Sequence, residues 1–289
     1  MKFHLNFNLL VSISILFTMA ITSCGDIQQD LYIKKDGSGT LETTIDVGEL
    51  MSMAKGFEDM GAAQDTFSDD TMPDFTITPQ PEAPKDAMTL LMERVTDPSH
   101  NQDFDTMMSM LSIMPDSLKE KETRTDLMEK IFVRVKSPAN SADLTFGIVM
   151  NFDNTKQLRE IINYMENLNQ SSEMMSGAAP MGMDSENFLA FDADMKAGWI
   201  KVDTFSYAGL ATQMGMSQDS AISSEDLGMV EMMFGNSKIK TVIHVLGEVL
   251  SCTNPEAILT KDNKVIVEYP MMDVIRKGTI NGFTVHFKP

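Results

Sequence analysis

The chain is poor in most of what makes a functional site easy to find. It has two cysteines in 289 residues, Cys24 and Cys252, too few for a disulfide framework. Basic residues are scarce, 23 Lys and Arg against 42 Asp and Glu, for a net charge of −19. That balance disfavours binding to nucleic acid or anionic head groups by charge alone. The acids form no long run of one sign, and the charge keeps the chain soluble. A nucleophile elbow, a His-Glu-x-x-His helix, a Walker loop, Gly-x-Gly-x-x-Gly and Cys-x-x-Cys are all missing from the sequence. No apolar run reaches the roughly 20 residues of a spanning helix.

What is present begins at the first residue. Met1-Lys2-Phe3-His4 is weakly basic, and an apolar segment, LLVSISILFTMA, fills 9–20. Its length is that of the apolar region of a secretory signal. It ends in Ile21-Thr22-Ser23-Cys24-Gly25: an aliphatic residue, two small ones, then Cys. This resembles the bacterial lipobox. The resemblance implies cleavage after 1–23 and acylation of Cys24, whose thiol is the nucleophile that forms the thioether. Two or three acyl chains at about 0.8 kcal/mol per buried CH₂ anchor a protein stably. The expected address is the cell envelope, with the membrane held through lipid on Cys24. Gly25, rather than Asp, follows Cys24, which in enteric bacteria favours the outer membrane over the inner.

The mature chain would then carry 22 basic against 42 acidic residues, or −20. With 43% apolar residues, a packed core is expected. Cys252, with Cys24 acylated, has no partner for a disulfide. Its neighbours Val249, Leu250 and Ala257 predict a buried, inert thiol.

Along the chain, 24–60 reads as anchor, N-terminal hairpin and helix. Leu31 and Ile33, then Leu41, Thr43, Ile45 and Val47, alternate with polar residues around Asp36-Gly37-Ser38-Gly39, a hairpin signature. Leu50, Met53, Ala54 and Phe57 share a helical face. Residues 61–85 are acidic and carry Pro73, Pro79, Pro81 and Pro84, the mark of a long loop or insertion. Region 86–169 combines short helices, with Phe104, Met107, Met108 and Leu111 as one apolar stripe, strands at 131–136 and 143–152, and a helix. Asn154 caps that helix with Gln157 at the capping-box position, and Leu158, Ile161, Ile162, Met165 and Leu168 form its buried face. A Ser/Gly/Met linker follows at 170–186. The C-terminal part, 187–289, is β-rich. Its predicted strands lie at 188–193, 198–205, 239–246, 257–259, 265–269 and 284–288, with a helix at 225–234 and a turn at Asp262-Asn263-Lys264. The fold class expected is α+β, with antiparallel sheets, packed helices and the acidic, Pro-rich insertion.

The C-terminal stretch Leu246-Gly247-Glu248-Val249, Thr253-Asn254-Pro255, Ala257 and Lys261-Asp262-Asn263-Lys264-Val265 resembles the closing segment of the LppM-type envelope lipoproteins. The Asp36-Gly37-Ser38-Gly39 hairpin behind the acylated Cys is similar too. The likeness covers about a third of the chain. Where that family often carries Trp after the final turn, this chain has Val267-Glu268-Tyr269. The resemblance implies an α+β domain with a cavity suited to lipid.

Chemistry has few candidates. His100, His244 and His286 are the histidines beyond the signal. His244 and His286 fall in predicted strands beside Val, Ile and Phe, so they read as sheet-face residues rather than a base or metal ligands. Asp36-Gly37-Ser38-Gly39 lacks the distal Glu of a calcium loop. The 27 methionines, several in Met-x-Met pairs such as Met181/Met183 and Met214/Met216, suit either flexible core filling or soft Cu(I) ligation; no His or Cys lies close to those two pairs. The sequence therefore points to no catalytic residue, cofactor or metal. It favours a non-enzymatic lipid-anchored domain binding a protein or lipid partner, with no nucleic acid. The alternatives are a carrier or sensor of an apolar ligand, and an envelope enzyme or Met-rich copper binder.

Overall fold

A computed structural model of the chain describes residues 26–46, 103–113, 119, 123–139, 144–171, 189–206, 231 and 235–289. Within them the protein is a mixed α/β, strand-rich fold built on three sheets.

The largest sheet has eight strands. β1 (Ile27–Ile33) and β2 (Gly39–Asp46) form the opening hairpin, with Leu31 opposite Leu41 and Ile27 opposite Ile45. Its turn is set by Asp36, whose Oδ1 accepts hydrogen bonds from the Ser38 N–H at 3.0 Å and the Ser38 hydroxyl at 2.7 Å. Gly37 takes φ +85° there, where a side chain would be strained. β3 (Phe104–Ser109), β4 (Ile131–Ser137) and β5 (Thr145–Phe152) follow, and β5 pairs with β2. From the C-terminal half come β9 (Lys238–His244), β11 (Ile258–Leu259) and β12 (Lys264–Pro270). The spatial order is β11-β12-β9-β1-β2-β5-β4-β3.

Two expectations are corrected here. The sheet is not wholly antiparallel, because β1 and β9 run parallel, Ile27 beside Ile239 and Leu31 beside Ile243. Strands distant in sequence are free to pair either way, and this pair joins the two halves of the chain. The stripe of Phe104, Met107, Met108 and Leu111 is not one helix. Residues 104–109 form edge strand β3 against β4, and only Met110–Ile113 (α1) is helical. The same residues also alternate, Phe104 and Met108 half-buried, Asp105 and Met107 exposed. β4 supplies the ladder that decides between the two periods.

The second sheet has order β10-β14-β7-β6, from β6 (Phe191–Asp194), β7 (Trp199–Val202), β10 (Glu248–Cys252) and β14 (Phe283–Lys288). A two-stranded sheet joins β8 (Phe205–Ser206) and β13 (Thr279–Ile280). Thus 198–205 is two strands rather than one, and β10 was not among the predicted strands. The 261–264 turn is as expected, with Asn263 at φ 59°, a conformation Asn tolerates.

Three further helices are described: α2 (Thr125–Met128), α3 (Thr155–Ser171) and α4 (Met271–Lys277). α3 starts as read: Asn154 Oδ1 accepts from the Gln157 N–H at 3.0 Å, while the Gln157 side chain reaches the Asp153 N–H at 2.7 Å. Its Leu158, Ile161, Ile162 and Met165 are buried and the helix packs on β5. α4, unforeseen, buries Met271, Met272, Val274 and Ile275 and ends at Gly278 in the left-handed region. One contiguous core links both large sheets and the helices. The predicted elements at 47–60 and, residue 231 apart, 225–234, the 61–85 insertion and the 172–186 part of the linker lie outside the described residues.

Candidate functional site

The alternation that buries Ile27, Leu31 and Ile33 turns Gln28, Asp30 and Tyr32 to the other face of the eight-stranded sheet. The registers continue this face from edge to edge. One row runs Ile258, Ile266, Val242, Asp30, Glu42, Val149, Phe132, Ser109. The next runs Lys264, His244, Tyr32, Thr40, Asn151. Two carboxylates, Asp30 and Glu42, therefore face each other across β1 and β2. Their side chains are only 13% and 12% exposed, so their repulsion must be offset locally.

Each has its own partners. The Arg134 guanidinium donates from Nη1 to both Glu42 oxygens at 3.2 Å and from Nε and Nη2 to Asp105 at 2.9 and 2.7 Å. Lys136 Nζ adds a bond to Glu42 at 3.2 Å. Gln28 Nε2 donates to Asp30 Oδ2, and His244 Nε2 sits 3.0 Å from Asp30 Oδ1. The imidazole stacks on Tyr32, ring centres 3.8 Å apart and 18° from parallel. Thr40 donates to Asn151 Oδ1 at 2.8 Å.

Electrostatics follow this wiring. The hydrogen bond from Arg134 holds the Asp105 carboxyl below its usual range, and the guanidinium is pushed above its own. Burial, then the charges of Asp30 and Glu42, pushes the Tyr32 phenol up. The Tyr32 ring serves as a stacking platform for His244. His244 has an acid to orient it, as a general base would, but no Ser, Cys or Thr hydroxyl is hydrogen-bonded to it among the described residues. The arrangement is a set of internally paired, largely covered charges beside a half-exposed ring.

The other candidates are scattered. His286 is exposed on β14 in the second sheet, opposite Trp199 and Ser251, and does not share a sheet with His244. Cys252 is free and half-buried, its thiol pushed up by burial, an unreactive state. Leu250, expected to cover it, is 59% exposed. A register shift between Val249 and Ser251 leaves Leu250 without a cross-strand partner. Met110, Met128, Met150, Met165, Met271 and Met272 are buried in the core, as core filler. Among the described residues no three His, Cys, Asp or Glu side chains gather as a metal site. Cys24, His100 and the pairs Met181/Met183 and Met214/Met216 lie outside the described residues.

Sequence reasoning missed Asp30, Tyr32, Glu42, Arg134 and Lys136. The signal was the polar half of the alternation, Gln28-Asp30-Tyr32 and Thr40-Glu42-Thr44. The chain matches no known protein family, no curated protein and no solved structure.

Proposed function

We propose that this chain is a cell-envelope lipoprotein, held through lipid on Cys24, whose α+β domain works by binding a partner rather than by catalysis. The observation that carries the reading is how close to Cys24 the described structure is tied in. Asp26, two residues beyond Cys24, is already tied in: its Oδ1 accepts from the Lys238 N–H at 2.8 Å and its carbonyl from the Asp46 N–H at 3.3 Å. Two residues reach about 7 Å. An acylated Cys24 would thus hold the start of β1 against the lipid surface, with no linker between. β1 continues for seven residues from that point, about 20 Å. Gly25 favours the outer membrane, and the acidic 61–85 segment is an insertion in this scheme.

The test is metabolic labelling with a clickable palmitate analogue. The full chain should take up label and partition with membranes. Cys24→Ala should lose the label and keep the uncleaved signal. Equal labelling of both chains would end the anchor reading.

Carriage of an apolar ligand is the second reading. Gln29, Thr43 and Thr241 form a buried row across β1, β2 and β9 on the core face. The Thr43 and Thr241 hydroxyls have no hydrogen-bond partner among the described residues. A ligand with a polar head would satisfy them. Native mass spectrometry of the full chain in detergent supports this reading if it detects a mass that is lost on denaturation; identical masses exclude it.

A further inference from the structure

Tyr32, 43% exposed, is the most open aromatic side chain on the outer face of the large sheet. One face of its ring is covered by His244, which sits one strand away in the same row. Stacking across a strand pair stands the ring upright, so its other face looks along the row toward β2. The residue there is Thr40, too short to cover it. Beyond Thr40, in register on β5, is Asn151. Strands lie about 4.8 Å apart, so Tyr32 and Asn151 face each other across about 10 Å, with Thr40 as the floor between them. The result is a slot with a bare aromatic wall on one side and an amide on the other.

The polar groups at the slot are unspent. Asn151 Oδ1 accepts from Thr40, but among the described residues the amide N–H groups of Asn151 and the Tyr32 hydroxyl have no protein partner. These supply donors and an acceptor at the two walls. The charges, by contrast, are already used. Arg134 and Lys136 are held by Glu42, Lys130 by Asp153 and Lys264 by Asp262, while Lys34 in the hairpin turn acts on Asp36. An ionic ligand would meet no uncompensated charge here, and an anionic one would also meet a chain at −19.

We infer that the slot binds one neutral pyranose ring of a glycan. The C–H face of a pyranose is weakly positive and packs on the negative face of an aromatic ring, at about 4 Å. That leaves about 6 Å to Asn151, a gap that a rim hydroxyl and the side-chain amide span together. A saturated ring with its substituents is thicker than a flat heteroaromatic base, and fills the slot where a base would touch one wall. This gives a ligand class to the binding domain proposed above and rests on that reading only in being non-catalytic; it does not need the anchor.

The experiment titrates the full chain in lauryldimethylamine oxide, a detergent without a sugar head, and reads saturation-transfer NMR. The probes are maltotriose and triacetylchitotriose as neutral glycans, trigalacturonate as an anionic one, sorbitol as an open-chain polyol and adenosine as a flat ring. At least one neutral trisaccharide should bind, with the saturation concentrated on the C–H protons of one ring face. Tyr32→Ala should weaken it about tenfold or more, Tyr32→Phe should keep most of the binding, and Asn151→Ala should weaken it less than Tyr32→Ala. Leu250→Ser, exposed on the second sheet, should change nothing. If Tyr32→Ala loses its circular dichroism, Thr40→Leu serves in its place, because it fills the slot and keeps the ring. No binding of either neutral glycan at about 10 mM overturns the proposal. So does equal binding of sorbitol, adenosine or trigalacturonate, or undiminished binding in the folded Tyr32→Ala or Thr40→Leu chain. Lipid labelling of Cys24 reads a different group, so the anchor and the slot fail separately.

Discussion

The two faces of β2, β1 and β9 handle polar side chains in opposite ways. On the outer face Asp30 and Glu42 are charged and nearly covered, yet both are tied to Gln28, His244, Arg134 or Lys136. On the core face Gln29, Thr43 and Thr241 are uncharged and fully covered, and the two threonine hydroxyls lack partners among the described residues. The sets are one residue apart in the chain: Gln29 precedes Asp30, and Thr43 follows Glu42. An unsatisfied hydroxyl in a core costs about 1–3 kcal/mol, whereas an unpaired buried charge costs several. The fold tolerates the first and avoids the second. The consequence is register. A slip of either strand by one residue would carry its carboxylate into the apolar core, so the outer charges add to the apolar alternation in fixing the pairing.

The contrast can be broken most severely from the core side. Leu41 is fully buried opposite Leu31, and Leu41→Ala should cost about 2–5 kcal/mol in urea unfolding. A loss under about 1 kcal/mol would mean that the hairpin is not part of the cooperative core. Next comes Arg134→Ala, which strips Glu42 of its two-pronged partner and leaves Lys136. The expected loss is about 1–3 kcal/mol. Adding Glu42→Gln should recover part of it, because the stranded charge is removed. No recovery would show that Arg134 acts through packing alone.

Thr241→Val sharpens the comparison. It removes a buried hydroxyl without changing shape much, so stability should hold or rise by about 1 kcal/mol. A clear loss would mean that the hydroxyl has a partner in solution, such as a bound ligand or water, and would favour the carrier reading.

Much of this sheet was legible before its structure. Hairpin 27–46, strands 131–137 and 145–152 and the start of α3 each had a local signature: alternation, an Asx turn, a cap. What was hidden is non-local. Nothing in β1 says that it runs parallel to a strand more than two hundred residues away. Phe104–Ser109 fits both periods until β4 lies beside it. α4 was missed because Met271–Lys277 follows directly on β12, with Pro270 as its cap position and no side-chain capping bond. The outer-face site was half visible. Alternation marked the buried residues, but which charges would meet depended on strand order, which brings Arg134 to Glu42 across β5.

The smallest effect concerns acid. Asp105 and Asp262 both titrate below their usual 3.8, Asp105 through its hydrogen bond from Arg134 and Asp262, at about 2, through Lys264 and then Thr260. A carboxyl whose folded value is depressed stabilises the fold fully above its unfolded value. That contribution is lost as pH falls through the folded value. The window is therefore acidic, from about pH 4 down to about 2. The two side chains are 50% and 59% exposed, so solvent screens them and Asp105 should contribute well under 1 kcal/mol, about the size of an ordinary surface pair. The urea midpoint should fall over this window in the natural chain. The fall should be shallower in Arg134→Ala, which frees Asp105, and in Lys264→Ala, which frees Asp262. Asp105 belongs to the network that also holds Glu42, while Asp262 is held in its turn by Lys264 and Thr260, at the His244 end of the same face. If only Arg134→Ala flattens the curve, acid acts on the outer face as a connected unit. If neither variant does, these pairs are too screened to matter, and register rests on the more deeply covered Asp30 and Glu42 alone.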